Sequence, residues 1–169
     1  ETTGDVVDQL GTLNGTVTTV GTGTVTRGVT GKIANAFEFA EGATPASARA
    51  YVDMSTEFLD EAADWTICAW VHPITNPTPF YEQYIEQTTG SSTGFSLGTS
   101  GGYSDKWIVF IASVGTAEST TEIVYDTWTH VCTQYDASGD FPNSAGTNYP
   151  ADSHYRFYIN GAWELCTGS

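Results

Sequence analysis

The chain has 169 residues, 40% hydrophobic and 13% aromatic, enough for one packed domain rather than a disordered segment. Asp and Glu number 20 against 5 Lys and Arg, a net charge of −15. That balance argues against nucleic acid and against an anionic membrane as partners, since both need a basic face. No run of 18 apolar residues occurs, so membrane insertion by a helix is not expected.

Frequent Gly and Thr suit strands and turns better than helices. The first 30 residues alternate Gly, Thr and Val. Val17, Val20, Val25 and Val29 call for burial, and the absence of Pro argues against a mucin-like stalk. Asn14-Gly15 reads as a tight turn, and this accounts for Asn14-Gly15-Thr16 better than a glycosylation sequon does. Phe37 and Phe39 share a strand face with Glu38 between them. Ala50–Met54 is a further strand, and Thr56–Asp64 is the only stretch of helical character.

Trp65–Val71 alternates with apolar groups on both faces, which predicts a central strand covered on both sides. After a Pro-rich loop, strands follow over Tyr81–Gln87, Gly94–Leu97, Trp107–Ser113, Thr121–Tyr125 and Trp128–Tyr135. Ala137–Ser153 is the longest irregular segment. Tyr155–Ile159, Asn160-Gly161 and Ala162–Cys166 read as a hairpin with a type I′ turn. Many short strands with almost no helix mean a sandwich or barrel.

Six segments in order carry a resemblance. They are Gly31 with Asn35–Phe39, Tyr51–Asp53, Trp65–Val71, Gly94–Leu97, Trp128–Val131 with Tyr135-Asp136, and Arg156–Gly161. From about Asp5 to Gly161 the chain resembles the laminin-G-like jelly roll of the concanavalin A-like lectin/glucanase superfamily. The resemblance implies an all-β, two-sheet antiparallel jelly-roll sandwich, here a single domain over residues 1–169. It also implies a module of an extracellular, cell or virion surface that binds a glycan or a protein, and a calcium ion at a rim. Family members carry a strand before the region of Asp5 and several after the Asn160-Gly161 hairpin. The chain therefore reads as a segment of a longer protein, or as one that receives strands from neighbouring subunits.

The acidity admits three readings: a carboxylate surface suited to high salt, a calcium rim, or a merely acidic secreted protein. Calcium needs six to eight oxygen ligands. Asp5, Asp8, Asn14, Glu38 and Glu41 form the first candidate set, and Asp136, Asp140, Asn143 and Asp152 a second. Loop-borne Phe80, Tyr81, Tyr103 and Tyr149 are the candidate ligand-binding residues, whereas Trp65, Trp70 and Trp128 read as core or sheet packing.

Catalysis is not expected. Glycoside hydrolysis needs two carboxylates flanking a sugar. Glu82 and Glu86, with Tyr84 between them on one strand face, are the best such pair, and a solvated acidic face explains them as well. His72, His130 and His154 stand apart from any nucleophile elbow. The alternative function is a carbohydrate-active enzyme or its accessory binding domain. Cys68, Cys132 and Cys166 lack Cys-x-x-Cys spacing, and Cys68 and Cys132 read as buried free thiols within strands.

Overall fold

The computed structural model describes residues 6–7, 14–40, 49–54, 63–75, 82–90, 93–99, 105–111, 115–138, 155–164 and 166–168. The described residues contain strands and no α-helix, and they fall into two compact units, 1–57 and 58–169.

The first unit holds β1 (Thr16–Val20), β2 (Thr24–Thr30), β3 (Asn35–Ala40) and β4 (Arg49–Asp53). β1 pairs antiparallel with β4, and β2 with β3. Gly15 is not the tight turn read from Asn14-Gly15. It forms an antiparallel bridge with Val6, each donating its N–H to the other's carbonyl at 2.8 Å. A β-carbon at Gly15 would collide with Val52 Cγ1 and come within 2.9 Å of Met54 Sδ, so close approach to β4 requires the glycine. Val17, Val25 and Val29 are partly covered, but Val20 is 45% exposed.

The second unit is a two-sheet antiparallel sandwich. One sheet has the order β12-β11-β10-β5, from β5 (Trp65–Val71), β10 (Thr129–Tyr135), β11 (Tyr155–Ile159) and β12 (Ala162–Glu164). The other has the order β13-β9-β8-β7-β6, from β6 (Glu82–Gly90), β7 (Thr93–Thr99), β8 (Lys106–Ile111), β9 (Gly115–Glu122) and β13 (Cys166–Gly168). The core is Val71, Val131, Tyr135, Phe157 and Ile159 of the first sheet, with Phe95, Leu97, Trp107 and Val109 of the second and Ile123 just past β9. Period-2 alternation explains β10, where Thr129, Val131, Thr133 and Tyr135 are buried and His130, Cys132 and Gln134 are partly open.

Three sequence expectations are corrected here. β5 is an edge strand among the described residues rather than a central one. Its Trp65, Ile67, Ala69 and Val71 turn inward while Thr66, Cys68 and Trp70 are exposed. The strand expected over Thr121–Tyr125 lies at Gly115–Glu122, because pairing with β8 outweighs the weak apolar signal of its own sequence. Ile123 then enters the core from the following turn, its N–H donating to Asp105 O at 2.7 Å. Ala162–Cys166 is two strands, since the chain leaves β11 after Glu164 and Cys166 pairs with Ser119 in the other sheet. The Asn160-Gly161 turn is as expected, with φ of 51° and 79°, the left-handed pair that a type I′ turn demands. Most of Thr56–Asp64 lies outside the described residues.

Candidate functional site

Alternation along β5, β10, β11 and β12 sends one residue set to the core and the other to the outer face of the four-stranded sheet. The register aligns the outer set in three rows. Trp70 stands opposite His130. Cys68 faces Cys132, which faces Tyr158, which faces Trp163. Thr66 faces Gln134, which faces Arg156. Trp70 is 39% exposed and Trp163 43%. Between β5 and β12 lie three strand intervals, about 14 Å at the usual interstrand spacing.

Each row is held in place. The His130 and Trp70 rings lie 5.0 Å apart. Asn160 fixes the His130 backbone from both sides: its N–H donates to His130 O at 2.8 Å, and its Oδ1 accepts from His130 N at 3.0 Å. Tyr158 Oη donates to Gln134 Oε1 at 3.0 Å, and Gln134 Nε2 donates to Thr66 Oγ1 at 3.5 Å, so a polar chain crosses three strands. Cys68 and Cys132 are joined in a disulfide across in-register strands, with Cα atoms 4.2 Å apart. The free-thiol reading of this pair is thereby corrected. Two cysteines on the same parity as exposed residues of adjacent strands were the signal, and it needed the β5–β10 register to be seen.

The polar row opens at its end into a shallow depression of about 330 Å³, lined by Asp64, Trp65, Thr66, Gln134, Tyr135 and Asp136. Asp64 Oδ1 accepts from Ala137 N at 3.0 Å, and Asp136 Oδ1 from Ser138 N at 2.9 Å and Ser138 Oγ at 2.6 Å. Trp65, one of the lining residues, is stacked on Tyr135 at 5.3 Å and edge-on to Phe95 at 4.8 Å.

The face is chemically distinctive. Among its described positions none carries a carboxylate, although the chain has 20. Its ionisable side chains other than Tyr158 are His130 and Arg156. It offers exposed indoles, an imidazole, a guanidinium, an amide and hydroxyls. That set suits stacking and hydrogen bonding to a ligand, not general acid–base work by paired carboxylates.

A laminin-G-type family model, of the concanavalin A-like lectin/glucanases superfamily, matches residues 46–164. The chain belongs to this family. The matched segment takes in β4 to β12, and so every strand of the outer face. No curated protein and no solved structure gives a significant match. Laminin-G-like modules bind glycans or proteins and are typically extracellular, and the chain is a binding module of that general kind. Among the described residues no helix is long and apolar enough to cross a membrane.

The residues singled out in the sequence fare unevenly. Phe80, Tyr81, Tyr103 and Tyr149 lie outside the described residues, as do Asp5, Asp8, Glu41, Asp140, Asn143 and Asp152. Asn14 and Glu38 are described and exposed, and Asp136 lines the depression. Among the described residues no group of three or more ligands includes a carboxylate. The strand that carries Glu82 and Glu86 has a register shift between Gln83 and Ile85. Of the tryptophans read as packing, Trp65 and the partly buried Trp128 fit, the latter 5.0 Å from the His72 ring. Trp70 does not. Its parity in β5 sets it opposite Trp65, on a face that is open rather than covered.

Proposed function

We propose that the chain is a non-catalytic recognition or adhesion module of an extracellular, cell or virion surface. Its ligand is a glycan, held on the outer face of the four-stranded sheet. The observation that carries this reading is the pair of exposed indoles, Trp70 and Trp163, on the two edge strands of an outer face whose strand positions carry hydrogen-bonding groups and no carboxylate. Sugar rings present apolar C–H faces that stack on indoles, and hydroxyls that pair with groups such as Gln134, Thr66 and Arg156. The Cys68–Cys132 disulfide supports an oxidising compartment. The proposal includes a calcium ion served by Asp5, Asp8, Asn14, Glu38 and Glu41, whose loss to EDTA would lower the melting temperature.

A glycan array read with the wild-type chain and with Trp70→Ala and Trp163→Ala tests the function. The expected result is binding to a defined glycan class, weakened at least tenfold in each variant without loss of the folded near-ultraviolet spectrum. Hydrolysis of an arrayed glycan would turn the reading to the carbohydrate-active enzyme. Binding that both variants retain in full would move the site off this face.

A further inference from the structure

The disulfide on the outer face sits beside an imidazole that its register brings to it. The sulfur atoms of Cys68 and Cys132 and a ring nitrogen of His130 all lie within 4.8 Å of one another. Cys132 Sγ is 3.8 Å from His130 Nε2 and 4.0 Å from Nδ1. A tetrahedral zinc ion, with bonds of about 2.3 Å to sulfur and about 2.0 Å to nitrogen, needs ligand atoms about 3.5–3.8 Å apart. The three groups are therefore spaced for one ion once the sulfur–sulfur bond is gone. The sheet holds the arrangement, with His130 pinned by Asn160 and packed on Trp70, and the cysteines fixed opposite each other on β5 and β10.

We propose that reduction of the Cys68–Cys132 disulfide creates a metal site of two thiolates and one imidazole, for zinc or another thiophilic cation. The reductant is a dithiol. One of its thiolates attacks the exposed Cys68 Sγ and forms a mixed disulfide, and the bond to Cys132 breaks, leaving that sulfur as a thiolate. The second thiol of the reductant then displaces Cys68 and leaves as a cyclic disulfide. Two electrons pass to the protein, and the two cysteine thiols release their protons to solvent when the cation binds. Water fills the fourth position, as in open three-ligand zinc sites. The disulfide thus acts as a lock on the site, and the net charge of −15 favours a cation's approach.

The test uses the full chain carrying Cys166→Ser, with the wild-type chain in parallel. Both are reduced with a phosphine under nitrogen and titrated with cobalt(II) as a spectroscopic stand-in for zinc. One equivalent should produce a thiolate-to-cobalt charge-transfer band that zinc abolishes. The oxidised chain should give none, and His130→Ala should weaken binding at least tenfold. The proposal is overturned if the reduced chain binds no better than the oxidised one, or if His130→Ala binds as the parent does. Loss of the near-ultraviolet circular dichroism on reduction overturns it as well, since a folded sheet must present the ligands.

Discussion

Thr133 shows how single side chains divide between packing and function on β10. Its neighbours by parity, Val131 and Tyr135, are core residues, whereas His130, Cys132 and Gln134 face outward. Thr133 is fully buried and its hydroxyl has no hydrogen-bond partner among the described residues, as is true of Thr99 on β7. An unmade hydrogen bond of this kind costs about 1–3 kcal/mol. Thr133→Val keeps the shape and removes the orphaned group, so it should raise the urea midpoint by the equivalent of about 1 kcal/mol. An unchanged or lower midpoint would mean that the hydroxyl is satisfied. The partial exposure of Trp70 is the counterpart on the outer side. A tryptophan kept 39% open at an edge strand is available to a ligand in a way that Trp65, packed on Tyr135 and Phe95, is not.

Among the elements, the passage from β12 to β13 ties the two sheets together. Glu164 is buried at the end of β12. Its carboxylate accepts from Thr120 Oγ1 at 3.0 Å, Thr121 N at 3.1 Å and Thr121 Oγ1 at 2.7 Å, at the end of β9 in the opposite sheet. Bonds to a charged acceptor are the stronger kind, and removing it strands the Thr121 N–H. Glu164→Ala should cost about 2–4 kcal/mol in chemical denaturation, with Glu164→Gln losing less. A cost below 0.5 kcal/mol would show that this clamp carries no weight. The elements also show what the sequence could yield. β5, β10 and β11 were legible almost to the residue, because strong alternation and the Asn160-Gly161 turn are local signals. β9 was not, since Gly-Thr-Ala-Glu-Ser-Thr-Thr-Glu has little pattern and becomes a strand through β8. The break after Glu164 was hidden for the same reason: only the partner strand decides which sheet a short segment joins. The site followed suit. Its residue types were visible, but their assembly into rows depends on register between strands 64 residues apart, as Cys68 and Cys132 are.

For the molecule as a whole, charge and face point the same way. Twenty acidic residues against five basic ones repel one another, and the carboxylates are absent from the described outer-face positions. Salt shortens the reach of that repulsion from about 10 Å at 0.1 M to about 3 Å at 1 M. The melting temperature should therefore rise by several degrees over that range of sodium chloride, and a fall would argue against an acidic surface suited to saline surroundings. The four-stranded sheet of the sandwich turns one face to the core and the other outward as a free face. Within this family that free face is where the chain's own chemistry concentrates: two exposed indoles, a locked disulfide and a polar row leading to the Asp64–Asp136 depression. The claim that this face binds the ligand is tested most directly by nuclear magnetic resonance titration of the 15N-labelled chain with a glycan selected on the array. The account predicts that the indole N–H signals of Trp70 and Trp163 shift saturably while that of buried Trp107 stays in place. Saturable shifts confined to Phe80, Tyr81, Tyr103 and Tyr149, with both indoles unmoved, would contradict it.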